Sequence, residues 1–162
     1  MDIELMVGDH IPEFTLMQMT SDGPTPITTT ELFTGKKVVL FALPGAFTPV
    51  CSAQHLPGFL SNADAIKAKG VDTIACLSVN DAFVMGAWGE SMGVGDKIMM
   101  LADGNADFTK HLELDLDASG FGMGVRSQRY SMIVDNGDVK NLNIEEGTGL
   151  DVSSAETILG QL

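Results

Sequence analysis

The sequence predicts an α/β fold in which a mixed central sheet carries helices on both faces. Two near-continuous apolar runs, Lys37–Leu43 and Val71–Val79, are typical of strands buried on both faces. Apolar residues with helical spacing lie between them, which gives the order strand, helix, strand. Later in the chain, Asn136-Gly137 stands between two strand-like runs and predicts an antiparallel hairpin. A parallel unit followed by a hairpin requires a mixed sheet.

Turn and capping residues predict the elements of the first half in chain order. Residues 1–30 contain Pro24 and Pro26 and predict short strands and turns. Pro44-Gly45 ends the first buried strand, and Thr48-Pro49 begins a helix, with Thr48 near the N-cap and Pro49 at the first helical position. That helix is expected to continue to Gly70, because apolar residues recur at 56, 59, 60, 63 and 66.

The second half is predicted in the same way. Asp81 is expected to cap a short helix that ends at Met92. The elements predicted after it are a strand Lys97–Leu101, a helix Ala106–Leu112, hairpin strands Tyr130–Asp135 and Val139–Ile144, and a last helix from Ser153 or Ser154 to Leu159. The chain has no repeat and no linker, so residues 1–162 are expected to form one domain.

Charge and hydropathy exclude several classes of partner. The net charge of −13 repels phosphate backbones and anionic lipid, so neither nucleic acid nor a membrane is expected as a partner. The longest apolar run, Val38–Leu43, is too short to span a bilayer. The N-terminus lacks the features of a secretory signal, which favours a cytoplasmic protein, although an organelle protein that has lost a transit segment stays an alternative.

The two cysteines, Cys51 and Cys76, are expected to be reduced thiols. A structural disulfide is unexpected in a reducing compartment, and the absence of a CxxC pair disfavours a thioredoxin-type dithiol. The three histidines are scattered at positions 10, 55 and 111, so no zinc site is predicted. Thiol chemistry without a metal or other cofactor is the remaining prediction.

Cys51 is the candidate nucleophile, although on position alone a small buried hydrophobic residue is the commoner interpretation of such a cysteine. It follows the first buried strand at its carboxyl end and falls in the first turn of the helix that begins at Thr48-Pro49. Unpaired backbone N–H groups and the positive end of the helix dipole favour an anion there, and the thiolate is the reactive form of cysteine. Arg129, just before a hairpin strand, is expected to favour the thiolate further, and the Thr48 hydroxyl is expected to lie beside the sulfur or an incoming oxygen.

The segment PGAFTPVCSAQHLPGF, residues 44–59, resembles the peroxidatic-cysteine motif of the type II peroxiredoxins. Further similarity lies in ACLSVNDAFVMGAW (75–88), LADG (101–104), RYSMIVDNG (129–137) and GTGLDVSSAETIL (147–159). The resemblance covers almost the whole chain. It implies a thioredoxin-like fold and a thiol peroxidase that reduces hydrogen peroxide and alkyl hydroperoxides through a sulfenic acid on Cys51.

The same resemblance implies roles for further residues and partners. Thr48 and Arg129 complete the catalytic set with Cys51, Pro44 shields the sulfur, and Val50 offers its backbone N–H to the substrate. Val50 departs from the smaller or polar residue common in the subfamily. The implied partners are an external thiol such as glutathione, with glutaredoxin or thioredoxin, and a second copy of the chain, with the dimer contact near Trp88.

Cys76 has two interpretations. It lies in the middle of the second buried strand, and rough helix and strand lengths place it well beyond the Cα separation of about 7 Å that a disulfide allows. A structural core residue is therefore favoured over a resolving cysteine. Animal-type relatives carry their resolving cysteine where this chain has 150–153, so the resemblance implies a one-cysteine mechanism.

Two other functions stay open at this point. His55, four residues after Cys51, shares its helix face, and a Cys–His pair would suggest a hydrolase. A packed or surface histidine is the favoured interpretation, because peroxide reduction needs no base there. The second alternative is a redox sensor or relay in which the Cys51 sulfenic acid oxidises a partner protein.

Overall fold

The structure, a computed structural model, describes residues 3–162. The strands are β1 (Thr15–Thr20), β2 (Gly23–Thr28), β3 (Lys37–Ala42), β4 (Thr73–Ser78), β5 (Met99–Ala102), β6 (Asp115–Asp117), β7 (Val125–Ser127), β8 (Tyr130–Asp135) and β9 (Asp138–Ile144). The α-helices are α1 (Thr29–Phe33), α2 (Leu56–Ser61), α3 (Ala63–Ala68), α4 (Ala82–Met92), α5 (Asp107–His111) and α6 (Ala155–Gln161). A π-helical turn spans Cys51–His55, and a 3₁₀ turn spans Ser119–Phe121.

The predicted mixed sheet is confirmed. Seven strands pair in the order β2-β1-β5-β4-β3-β8-β9, and β6 pairs with β7 in a separate ribbon. The neighbours β3, β4 and β5 are parallel, while β8 runs antiparallel to β3 and continues into β9. Asn136 and Gly137 both have positive φ, as the tight turn of the predicted hairpin requires.

Helices cover both faces of the sheet, as the sequence predicts. Alternate residues of β3 point to opposite faces, so Val39 and Phe41 join one apolar core while Val38 and Leu40 join the other. The first core includes residues of α2, α3, α4 and α6, and the second includes residues of α1 and α5. Cys51 belongs to this first core and follows β3 at its carboxyl end.

The structure differs from the sequence-based predictions at three places in the chain. The helix expected to continue from Thr48-Pro49 to Gly70 is a π turn followed by two short α-helices, with Asn62 at a non-helical φ of −101° between them. Helix α1 was not predicted, although Thr28 and Glu31 form a capping box at its start. The short strands β6 and β7 carry no clear alternation and were also missed.

No helix among residues 3–162 has the length and apolarity needed to cross a membrane.

Candidate active site

The loop after β3 delivers Cys51 to the start of a helix. The backbone N–H of Ala46 donates to Asn80 Oδ1 at 3.0 Å, which holds the loop against the end of β4. Helical geometry begins at Pro49, and the Ser52 N–H donates to the Thr48 carbonyl at 2.9 Å. Cys51 therefore lies in the first turn, as predicted, where backbone N–H groups lack partners within the helix.

The turn that begins at Cys51 is wider than an α-helical turn. The Leu56 N–H donates to the Cys51 carbonyl, five residues earlier. Pro57 has no N–H for the carbonyl of residue 53, and its ring crowds that carbonyl. The chain relieves the conflict by widening the preceding turn, a local change that recurs at functional sites.

Arg129 lies against the sulfur of Cys51. Its Nη2 donates to Cys51 Sγ at 3.2 Å, and both residues are buried, with 2% and 1% of their surfaces exposed. Tyr130, the next residue, pairs with Ala42 at the end of β3, which fixes Arg129 beside the loop that carries Cys51. The proximity predicted from the sequence is thus present.

Among the hydrogen-bond acceptors of Arg129, the Cys51 sulfur is the one that can ionise to an anion. A guanidinium is always protonated, and burying it without a counter-charge is costly. Within residues 3–162, Arg129 forms no salt bridge to a carboxylate. Its hydrogen-bond acceptors are the Thr148 carbonyl, His55 Nδ1 and Cys51 Sγ, and of these the sulfur is the one that can carry negative charge.

His55 serves this site as a neutral hydrogen-bonding residue. Arg129 Nη1 donates to His55 Nδ1 at 2.8 Å, so the imidazole proton belongs on Nε2, which donates to the Ser153 carbonyl at 3.0 Å. Burial, together with the charge of Arg129, lowers the pKa of His55 to about 3. With both ring nitrogens engaged, His55 does not accept the Cys51 proton, which argues against a Cys–His hydrolase.

The buried histidine predicts a loss of stability in acid. The unfolded chain takes up a proton below about pH 6.5, whereas His55 in the fold stays neutral down to about pH 3. The free energy of unfolding should therefore decrease as the pH falls through this window, by at most about 1.4 kcal/mol per pH unit. Glutamine can reproduce the acceptor and the donor without titrating, so His55→Gln should reduce this slope in urea unfolding measured at several pH values.

Replacement of the exposed His10 by glutamine is the control and should leave the slope in place. If the free energy of unfolding of His55→Gln depended on pH as steeply as that of the wild type, the neutral buried state of His55 would be contradicted.

The other predicted site residues lie in the loop after β3 and in the first helical turn. Pro44 is buried in the loop, and Val50 is half-buried in the first helical turn. The Thr48 hydroxyl donates to the Gly45 carbonyl at 2.6 Å and forms no hydrogen bond to Cys51 among the described contacts. Its oxygen keeps the capacity to accept a hydrogen bond from a substrate.

Cys76 is a core residue in this structure. It lies on β4 opposite Phe41, it is fully buried, and neither cysteine is in a disulfide. Burial raises the pKa of the Cys76 thiol well above its ordinary value, and the proximity of Cys51 adds to the rise. A thiol in this position is a poor nucleophile.

Two contacts at the site were missed by sequence reasoning. Asn80 lies two residues after the end of β4, and its position at the carboxyl end of a parallel strand could have marked it as a site residue. Trp88 Nε1 donates to Ser52 Oγ at 3.1 Å and ties α4 to the residue after Cys51. Trp88 is fully buried within its own chain, and the dimer contact near it stays a prediction.

A separate cleft lies away from Cys51. It runs between α4 and the β1–β5 part of the sheet and is lined by Met19, Phe83, Met100 and their neighbours. None of its lining residues is a cysteine or a histidine. The thiol and the guanidinium that meet at the first helical turn make that turn, and not this cleft, the candidate active site.

A buried cysteine at a helix start, beside an arginine on a mixed α/β sheet, defines a thioredoxin-fold thiol protein. The profile of the family described as Redoxin matches residues 6–159. The chain is 51% identical to Peroxiredoxin-2E, chloroplastic, of Arabidopsis thaliana, over 98% of this chain and 69% of that protein. It is 43% identical to Peroxiredoxin-2D of the same plant, over 98% of each.

Comparison with solved structures indicates the same family. Reduced Prx3 of Vibrio vulnificus in complex with hydrogen peroxide superposes with a TM-score of 0.93 at 57% identity, over 97% of this chain and 98% of that one. The chain belongs to the type II peroxiredoxins and is a thiol-dependent peroxidase, an antioxidant oxidoreductase.

Peroxiredoxins use no prosthetic cofactor. Among residues 3–162, no group of three or more His, Cys, Asp or Glu side chains could hold a metal ion.

Proposed function

We propose that Cys51 is the peroxidatic thiolate and that Arg129 stabilises both this anion and the departing oxygen. The observation that carries the proposal is the hydrogen bond from Arg129 Nη2 to Cys51 Sγ, made by a buried guanidinium whose acceptors include no carboxylate. Donors placed where negative charge develops are among the largest contributions to catalysis.

The reaction is a displacement at oxygen. The Cys51 sulfur attacks one oxygen of the hydroperoxide, an S–O bond forms, and the O–O bond breaks. The cysteine is oxidised to a sulfenic acid, while the second oxygen leaves as hydroxide or alkoxide and takes a proton to give water or an alcohol. The negative charge therefore moves from the sulfur to the leaving oxygen, and a guanidinium that spans both positions stabilises the transition state.

Thr48 and Val50 would orient the peroxide. The Thr48 hydroxyl donates its hydrogen bond to the Gly45 carbonyl, so its oxygen would accept a hydrogen bond from the O–H of the peroxide. The Val50 N–H lies in the first helical turn and would donate to a peroxide oxygen. Pro44 would exclude water from the sulfur.

We propose that an external thiol reduces the sulfenic acid, through glutathione with glutaredoxin or through thioredoxin. Because Cys51 is only 1% exposed, a protein thiol reaches it only when the first turn opens. Ser52, which is tied to Trp88, would have to separate from it in that step, so tryptophan fluorescence reports the opening.

The test is NADPH-coupled consumption of hydrogen peroxide, with each reductant system in turn. Sustained turnover with at least one system is expected. Rapid oxidation followed by no turnover with either system would contradict the proposed peroxidase cycle and support the redox-sensor alternative.

Cys76→Ser should retain most of the activity with glutathione and glutaredoxin. The Cys76 side chain is buried in the apolar core and forms no disulfide, so the serine mainly places a hydroxyl in that core and lowers stability. The measurement is kcat/KM for peroxide beside the urea midpoint. A loss of activity as complete as that of a Cys51 variant would make Cys76 a resolving cysteine.

We propose a homodimer and a reducing compartment, with the cytoplasm as the first candidate. Phe47 and Phe83 are more than half exposed, and the ring of Phe47 lies 6.4 Å from that of the buried Trp88. Large exposed aromatic residues favour association of two copies. Sedimentation velocity measures the oligomeric state directly.

A further inference from the structure

The position of the Arg129 guanidinium depends on a loop that does not contain Cys51. Arg129 Nε donates to the Thr148 carbonyl at 3.0 Å, and Nη1 reaches the Ser153 carbonyl through His55. Residues 145–153 are named here the 145–153 loop. Of the three N–H groups that orient the guanidinium, Nε binds this loop directly and Nη1 binds it through His55. A change in this loop would move the third group, Nη2, relative to the sulfur.

The 145–153 loop has little structure of its own. It contains Gly147 and Gly149, residues 146–149 are exposed, and the backbone forms neither helix nor strand there. Glycine adopts many backbone conformations, so such a segment needs an external contact to hold one of them.

A single carboxylate supplies that contact. Glu145 Oε2 accepts hydrogen bonds from the Asp151 N–H at 2.8 Å, the Ser153 N–H at 2.8 Å and the Ser153 hydroxyl at 2.7 Å. Burial raises the pKa of Glu145, but the hydrogen bonds from Asp151, Ser153 and Val152 outweigh that effect and hold it below the ordinary value. The side chain is thus an anion that bridges the two ends of the loop.

The contacts close into a ring. The Glu145 N–H donates to the Arg129 carbonyl at 2.9 Å, Glu145 binds Ser153, the Ser153 carbonyl binds His55, and His55 binds the Arg129 guanidinium. The carboxylate forms no hydrogen bond to Cys51 or to the guanidinium among the described contacts. Its influence on the sulfur passes through the ring.

We propose that Glu145 is a positioning residue, which holds Arg129 in register with Cys51 by fixing the 145–153 loop. The proposal rests on the proposed role of Arg129 in catalysis. A displacement of a catalytic donor by a fraction of an ångström is enough to slow a reaction, because stabilisation depends on the alignment of donor and charge.

The first test is spectroscopic and does not require activity. The chain contains only two arginines, Arg126 and Arg129, so the guanidinium signals of ¹⁵N-labelled protein are simple to assign. Glu145→Ala should broaden or collapse the Arg129 Nη signals, because rotation of the guanidinium is no longer hindered. The Arg126 signals are the internal reference and should not change, since Arg126 binds Met123 and Val79 carbonyls instead.

The second test is a double-mutant cycle on the rate of peroxide reduction. Glu145→Ala should lower kcat/KM for hydrogen peroxide by about tenfold. Glu146→Ala removes an exposed carboxylate from the same loop and is the matched control, with no change expected. In an Arg129→Ala background, Glu145→Ala should have no further effect, because the group it positions is gone.

Two results would overturn the proposal: unchanged Arg129 signals and rate in Glu145→Ala, or an undiminished effect of Glu145→Ala in the Arg129→Ala background. If Glu145→Ala does not fold, Glu145→Gln, which keeps the size but removes the charge, is measured in its place. If the wild-type protein itself consumed no peroxide, the proposed function would fail, and the spectroscopic test would still decide the role of Glu145.

Discussion

Cys51→Ser is expected to abolish peroxide consumption with every reductant. A serine hydroxyl is not anionic near neutral pH and does not attack the O–O bond, so no residual turnover should remain. The replacement is nearly isosteric and leaves Arg129 in place. Catalysed consumption of hydrogen peroxide measures the effect, and the fluorescence of Trp88, whose indole binds Ser52, verifies that the first turn is intact.

Cys76→Ser in the same assay is the control, since it removes the other thiol of the chain. If Cys51→Ser consumed peroxide faster than a mixture of peroxide and reductant alone, the reactive group would be another residue.

Arg129→Ala is expected to lower kcat/KM for hydrogen peroxide by about 10²–10³-fold, the usual effect of removing one preorganised donor from an anionic transition state. Two losses combine in this variant. The sulfur loses its hydrogen bond at 3.2 Å and the positive charge beside it. Alkylation of Cys51 by the neutral reagent iodoacetamide should become slower as well, because the group proposed to activate the sulfur is gone.

Arg126→Ala is the matched control for charge, because Arg126 is the one other arginine and its hydrogen bonds go to the Met123 and Val79 carbonyls and not to Cys51. Arg129→Lys separates charge from geometry: lysine retains the cation but lacks the planar fork that binds the sulfur, His55 and Thr148 together. Equal rates in wild type and Arg129→Ala would remove the guanidinium from the mechanism.

Much of the fold could be predicted because local signals agree with the final packing. The strand Lys37–Leu43 was predicted one residue longer than β3, and Asp81 caps α4 through the Val84 N–H, as the sequence indicates. The Asn136-Gly137 turn was identified from its dipeptide alone. Each of these elements is specified by residues adjacent in sequence, where propensity and capping apply.

The prediction of one continuous helix after Thr48-Pro49 was wrong for a local reason that the spacing of apolar residues does not show. Apolar spacing persists through residues 56–66, but Pro57 cannot donate to the preceding turn, and Asn62 bonds back to the Gly58 carbonyl. The helix therefore widens at Cys51–His55 and breaks at Asn62.

The sequence predicts the residues of the candidate site but not the contacts between them. The motif places Cys51 and Thr48 together, and Arg129 was identified from its place before a strand. Besides the sulfur, the acceptors of Arg129 are a histidine ring and a backbone carbonyl of the 145–153 loop, and every residue type carries such a carbonyl. The link from Glu145 through Ser153 to His55 joins residues up to 98 positions apart, which only the folded chain brings into contact.

The central claim, that Cys51 is an anionic nucleophile beside Arg129, is tested most directly by mass spectrometry of the wild-type protein after one equivalent of hydrogen peroxide. The account predicts one added oxygen on the peptide that contains Cys51, converted to a mixed disulfide when glutathione is present, with Cys76 and the methionines unchanged. An unmodified Cys51, with the oxygen on Cys76 or on methionine, would contradict it.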